Sequence, residues 1–267
     1  MANFEKETRI AKSAIESASK ILLKYSKRVE HIRSYAKGAD DYATEADIAA
    51  EREIIKTIRG AFPSHRIFSE EKGEIKGTSE YKWIVDPLDG TRNFKHQLPL
   101  WGTMLSLTLN GKPLVSVISL PVLGETYVAV EGEGAFLNGR RIRVSKQANI
   151  KKAMMIFDGM HVYKNTDTRD LFEATGTAFG SSLKVLGCGA VGGAYIARGG
   201  VEGMIMIENP PHDVLPIVGI VTEAGGRISD LDGKEWKPES KHCFVSNGAA
   251  HDKMLKALLI ELARVRG

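Results

Sequence analysis

"WIVDPLDGTRNF", residues 83 to 94, sets three buried-strand residues directly before two aspartates three positions apart. Trp83, Ile84 and Val85 read as the end of a strand, so Asp86 emerges at its tip. Pro87, which has no N–H to give, fixes a turn and stops the ladder there. Asp86 and Asp89 then face one place with the Leu88 carbonyl between them, a set of hard oxygens suited to Mg²⁺ or Mn²⁺ rather than to zinc. Gly90 permits a close backbone approach. If Thr91 opens a helical turn, the amides of Gly90 and Thr91 point at an anion, because the first donors of such a turn are unpaired. In isolation the same segment is equally an Asx-turn or a helix cap.

Other acids stand at element ends. "FSEEKG" places Glu70 and Glu71 directly after a strand predicted over Arg66–Ser69, and Asp213 opens the helix that runs into "VTEAGG". Asp40, Asp41 and Asp47 surround the loop "YAKGADDYATEAD", although Asp47 also fits the third position of a Thr44 capping box. So many carboxylates converging would repel unless a cation held them, which points to a shared metal site.

Around these motifs the apolar pattern predicts helices over Phe4–Tyr25 and Glu45–Ala61, the second ended by Pro63. Strands are predicted over Lys82–Val85, Met104–Leu109, Leu114–Ser119, Thr126–Val130 and Arg141–Val144, with Asn110-Gly111 and Asn138-Gly139 as turns. That is an antiparallel meander. Beyond Ile150 helices (Thr168–Phe179, Val191–Arg198, Val214–Glu223 and one from His251) alternate with strands (Leu183–Leu186, Met204–Ile207, Arg227–Ser229, Cys243–Ser246). The expected organisation is an α/β (α+β) chain of two packed parts, 1–150 carrying the metal motif and 151–267 completing the site.

Composition narrows the function. Thirty-seven basic and 33 acidic residues give a net charge of +4, too small and too evenly spread to imply nucleic acid. No apolar run approaches the ~20 residues of a membrane span, and the charged N-terminus lacks a signal peptide's apolar stretch. Two cysteines without metal-ligand spacing suit a reducing, cytoplasmic setting as buried thiols.

"KVLGCGAVGGAYIARGG", residues 184 to 200, holds Gly187, Gly189 and Gly192 in the G-x-G-x-x-G spacing of a dinucleotide fold, with Glu208 about where a ribose-binding acid would stand. An NAD-dependent oxidoreductase is therefore an alternative. The chain supplies too few βαβ units after that turn for such a fold, and close packing of a small-residue helix on a sheet is the better reading.

Taken together, "GADDYATEAD", "SEEKG", "WIVDPLDGTRNF", "GEGAFLNGRRIRVS" and "HDVLPIVGIVTEAGG" resemble the inositol monophosphatase family of Mg²⁺-dependent, lithium-sensitive sugar phosphatases, which includes fructose-1,6-bisphosphatase-like members. The resemblance covers almost the whole chain. It implies the sugar-phosphatase fold, a layered α-β-α-β-α sandwich, and two or three ions. Glu70, Asp86 and the Leu88 carbonyl would hold the first, Asp86, Asp89 and Asp213 the second, and Asp47 with Glu70 a weaker third. Gly90 and Thr91 would hold phosphate oxygens, Gly187 and Gly189 would line the sugar, and Glu208 would bind its hydroxyls. Water activation falls to a Thr91–Asp47 relay or to Glu70, and Lys37 and Asp41 belong to a mobile loop over the substrate. His212 replaces the tryptophan of many relatives, as a packing substitution. The implied substrate is a small phosphorylated sugar or polyol, inositol-1-phosphate or fructose-1,6-bisphosphate, and the implied assembly a homodimer. A 3′-phosphoadenosine nucleotidase of the same superfamily is the alternative.

Overall fold

A computed structural model describes residues 4–36, 42–159 and 166–267. In chain order it contains α1 (Glu5–Ser26), β1 (Ser34–Ala36), β2 (Tyr42–Thr44), α2 (Glu45–Ala61), β3 (Arg66–Ser69), β4 (Gly73–Ile75), β5 (Tyr81–Asp89), α3 (Thr91–Lys95), β6 (Gly102–Leu109), β7 (Lys112–Leu120), β8 (Glu125–Val130), β9 (Gly134–Leu137) and β10 (Arg140–Arg141). Then follow β11 (Met155–Asp158), α4 (Thr166–Phe179), β12 (Leu183–Val185), α5 (Gly189–Ala197), β13 (Gly203–Ile207), α6 (Pro211–Glu223), β14 (Arg227–Ser229), β15 (His242–Ser246) and α7 (His251–Arg266).

Eight strands form one sheet in the order β10-β9-β8-β7-β6-β5-β3-β4, antiparallel except where β3 runs parallel to β5. Five form another, β12-β11-β13-β15-β14, parallel in its first three strands. The apolar clusters show five layers. Trp83 and Val85 of β5 pack with α1 and α2, while Ile84, pointing the opposite way, joins α5 and α6 between the two sheets. Met155, Phe157 and Ile205 of the second sheet pack outward on α4 and α7. The result is the α-β-α-β-α sandwich. With both sheet faces covered, β6 and β7 are buried almost end to end, and they set apolar residues at adjacent positions (Met104-Leu105, Leu114-Val115, Val117-Ile118) among small buried hydroxyls.

Three expectations are corrected. Pro87 does not end its strand: β5 continues to Asp89, and the register shifts between Asp86 and Asp89, so Pro87 and Leu88 lie opposite Thr103 alone. This is a β-bulge, where a missing N–H costs no ladder bond. Of the strand predicted over Arg141–Val144, only Arg141 pairs, in the two-residue β10. Helix α6 starts at Pro211 rather than Val214, so Pro216 sits inside it and leaves the His212 carbonyl without its helical donor. The strands β1, β2, β4, β9 and β11 were not expected. Lys37 and Asp41, the loop residues, lie outside the described residues. Among the described residues no helix is long and apolar enough to cross a membrane.

Candidate active site

The parallel pairing of β3 with β5 sets Ser69 beside Val85, and the Glu70 N–H donates to the Val85 carbonyl at 3.2 Å. Glu70 therefore leaves its strand next to Asp86. In the bulge the Leu88 N–H donates to Asp86 Oδ1 at 3.0 Å, an Asx-type turn that fixes that carboxylate. Gly90 has φ +81°, and a Cβ there would stand 2.9 Å from the Leu100 carbonyl oxygen, so only glycine makes this turn without strain. Helix α3 begins at once, with Thr91 Oγ1 lying 2.9 Å from the Leu88 carbonyl and 3.2 Å from Asp47 Oδ1. Asp47 is buried and completes the capping box of α2: its Oδ2 accepts from the Thr44 N–H at 2.8 Å, which leaves Oδ1 for Thr91.

The opposite wall comes from the second sheet and the helices between the sheets. Asp213 lies in the first turn of α6, and Asp158 ends β11. Asn209 Nδ2 donates to Asp158 Oδ2 at 3.1 Å and approaches Asp213 Oδ2 at 3.5 Å. Asp89 reaches across the seam, where its Oδ2 accepts from the Ala190 N–H and from the Cys188 thiol at 3.0 Å. The amino end of α5 thus serves a carboxylate of the protein itself. Gly192 answers the dinucleotide spacing in the same sense, since a Cβ there would collide with Met204 Sδ of β13.

A cavity of about 240 Å³ opens between these walls. Among the described residues, five carboxylates line it (Glu70, Asp86, Asp89, Asp158 and Asp213), with Arg92 the one basic residue and neither His nor Cys. Burial, reinforced by the charges of Glu70, Asp89 and Asp213, pushes Asp86 well above the usual carboxylate range. Asp213 rises as strongly, through burial and then Asp89 and Glu70. Burial raises Asp89 too, despite its donors Ala190, Cys188 and Gly90. Burial with the Asp89 charge takes Asp158 to about 7, and burial takes Asp47 to about 6 against its Thr44 hydrogen bonds. Among the described residues no three His, Cys, Asp or Glu side chains are already drawn together as an ion would hold them. Asp89 is turned to Ala190 and Cys188, and Asp158 to Asn209, as mutual repulsion requires. The donor set fits a hard divalent cation: all-oxygen, net negative, and supplemented by a backbone carbonyl.

Of the residues singled out in the sequence, Glu70, Asp86, Leu88, Asp89, Gly90, Thr91, Gly187 and Asp213 line this cavity. Asp47 lies behind Thr91, and Gly189 opens α5 beside Asp158. Glu208 is not in the lining: it follows β13 at φ +55°, and its carboxylate lies 3.3 Å from Lys241 Nζ. His212 Nε2 is 3.3 Å from Asp213 Oδ1, with its ring near Phe68. Asp158, Asn209 and Glu51 were missed.

Glu51 is buried on α2, and its Oε1 accepts from the Ser69 hydroxyl, the Glu71 N–H at 3.1 Å and the Lys72 N–H at 3.0 Å. It straps the turn that carries Glu70. A glutamate in the stripe of Ala50, Ile54 and Ile58 was the available signal. Glu51→Ala should raise the Mg²⁺ concentration for half-maximal activity about tenfold and cost about 3 kcal/mol of stability, since three donors lose a charged partner. Glu51→Gln, which keeps the acceptor, should restore most of both. Metal titration of phosphate release beside thermal unfolding checks this.

A profile described as "Inositol monophosphatase family" matches residues 3–265. The "Fructose-1,6-bisphosphatase/inositol-1-monophosphatase" of Thermotoga maritima is 35% identical over 231 residues, covering 86% of this chain and 87% of that protein. The "Nus factor SuhB" of Escherichia coli is 31% identical over 259 residues, 95% of this chain and 94% of that protein. Among solved structures, the extragenic suppressor protein suhB of Bartonella henselae superposes with a TM-score of 0.90 at 28% identity, covering 95% of this chain and 98% of that one. Profile, relatives and superposition agree over nearly the full length, and the chain belongs to the inositol monophosphatase family, and with it to the phosphoric monoester hydrolases.

Proposed function

We propose that this enzyme hydrolyses phosphate monoesters of small sugars and polyols, inositol-1-phosphate and fructose-1,6-bisphosphate among them, with Mg²⁺ and with Mn²⁺ as a substitute. The carrying observation is the cavity itself, where five carboxylates and the Leu88 carbonyl stand with the Gly90–Thr91 turn. The name of the Thermotoga relative joins both substrates, which supports the pair. Glu70, Asp86, Leu88, Asp89 and Asp213 would hold the ions, with Asp47 assisting a weaker third. Bound there, they would supply charge neutralisation for the phosphoryl group and a lowered pKa for the attacking water.

The protein's own groups do the rest. The amides of Gly90 and Thr91, in the turn that lines the cavity, would bind phosphoryl oxygens as charge shifts onto them. Thr91 relays a proton from water to Asp47 Oδ1, 3.2 Å away. Glu70 acting through a second water is the competing route. Thr91→Ala should lower kcat about a hundredfold with KM little changed; a change confined to KM would leave Thr91 as a binding group only. A homodimer and a cytoplasmic setting belong to the same reading, the latter supported by two buried free thiols, Cys188 and Cys243.

The reading is tested by phosphate release from inositol-1-phosphate, fructose-1,6-bisphosphate and 3′-phosphoadenosine 5′-phosphate, with Mg²⁺ and with chelator. Release from the first two that chelator abolishes is expected. No Mg²⁺-dependent release from any of them rejects it.

A further inference from the structure

The cavity has two unlike walls. Residues 70, 86 and 88–93 make one, which carries the Gly90–Thr91 turn; Asp158, Gly159, Gly187, Asn209 and Asp213 make the other. With the phosphoryl group on the Gly90–Thr91 turn, the organic part of the ester faces the second wall. Asp158 is conspicuous there. It ends a strand of the second sheet, is 6% exposed, and has Oδ2 fixed by Asn209 at 3.1 Å. Asp158 lines the cavity itself, and among the described residues Gly189 beside it carries no side chain: a Cβ there would stand 3.1 Å from Asp158 Oδ2. Glu208, expected to bind substrate hydroxyls, lies 3.3 Å from Lys241 Nζ.

We infer that Asp158, oriented by Asn209, is the specificity-determining residue that accepts a hydrogen bond from a hydroxyl of the leaving group close to the scissile ester. A buried carboxylate is an acceptor only, and its bond to a hydroxyl is charge-assisted, so it favours leaving groups that carry a donor and leaves a buried charge unpaired against those that do not. A site built in this way discriminates far more strongly than one that merely encloses the ring. The inference rests on the phosphatase reading above and adds to it the chemistry of the group expelled: a polyol or sugar alkoxide with a neighbouring hydroxyl, rather than a bare alkyl or aryl alcohol.

The experiment compares Asp158→Ala and the isosteric Asp158→Asn with the unaltered enzyme on inositol-1-phosphate and on p-nitrophenyl phosphate, whose leaving group has no hydroxyl donor. Asp158→Ala should lower kcat/KM on inositol-1-phosphate by about thirtyfold. On p-nitrophenyl phosphate it should stay within about threefold, with the Mg²⁺ requirement unmoved, and Asp158→Asn should fall between. Turnover of p-nitrophenyl phosphate also shows that the variants are folded. Equal losses on both substrates, or a raised Mg²⁺ requirement, would make Asp158 part of the metal machinery and overturn the assignment. No loss on inositol-1-phosphate would overturn it as well. If the unaltered enzyme releases phosphate from neither substrate, it is the phosphatase reading that fails.

Discussion

Asp86→Asn should reduce Mg²⁺-dependent phosphate release by about a thousandfold while making the metal-free protein more stable. Both effects follow from one geometry. Asp86 is buried in the bulge of β5, one oxygen held by the Leu88 N–H, with Glu70, Asp89 and Asp213 adding negative charge around it. Without a cation, burial and those neighbours oppose its ionisation; asparagine keeps the shape and the acceptor for Leu88 but removes the charge. At pH 8 the metal-free variant should melt a few degrees above the parent, about 2–4 °C for each kcal/mol of repulsion relieved. Added Mg²⁺ should raise its melting temperature much less than the parent's. A purely structural residue would lower activity and stability together. Undiminished turnover would remove Asp86 from the ligand set.

The stabilisation brought by Mg²⁺ should grow as pH rises from about 4 through about 6. An aspartate ionises near 3.8 in the unfolded chain, whereas in the fold Asp47 is carried to about 6, with Asp86, Asp89 and Asp213 also raised. Across that interval the folded, metal-free protein holds more protons than the unfolded chain, so these groups make stability fall as pH rises. The displacement at Asp47 alone corresponds to about 3 kcal/mol. His251, buried and lowered to about 4, acts in the opposite direction over part of the same interval. Comparing urea unfolding with Mg²⁺ and with chelator at each pH cancels His251, which lies remote from the cavity between Ser229 and Ser246. What remains is the carboxylate contribution. A difference independent of pH would mean that these acids do not face the ions.

Helix α2 was legible to its ends because Thr44 and Pro63 bracket one apolar stripe, and the Asn110-Gly111 turn because both residues take φ > 0, at 51° and 79°. Asp86, Asp89 and Glu70 were legible because each follows an apolar strand run. Pro87 misled, since a proline between strand residues marks either a stop or a bulge, and the difference lies in the partner strand β6, not in the local sequence. Asp158 was hidden behind Met155-Ile156-Phe157, an apolar run with no alternation, too short to separate strand from buried helix. The left-handed backbone of Glu208, directly after β13, was not legible either, since spacing along the chain carries no such information.

Asp89 crosses the seam to the amino end of α5, and α6 brings Asp213 from the second sheet's side onto the first sheet. A chain emerging from the ribosome therefore displays Glu70, Asp86 and Asp89 long before the residues that enclose them have been made. On the proposed reading ion capture would be the last act of assembly, and a nascent or clipped chain that ends ahead of α6 would carry an unfinished receptacle whose own negative charge works against closing it.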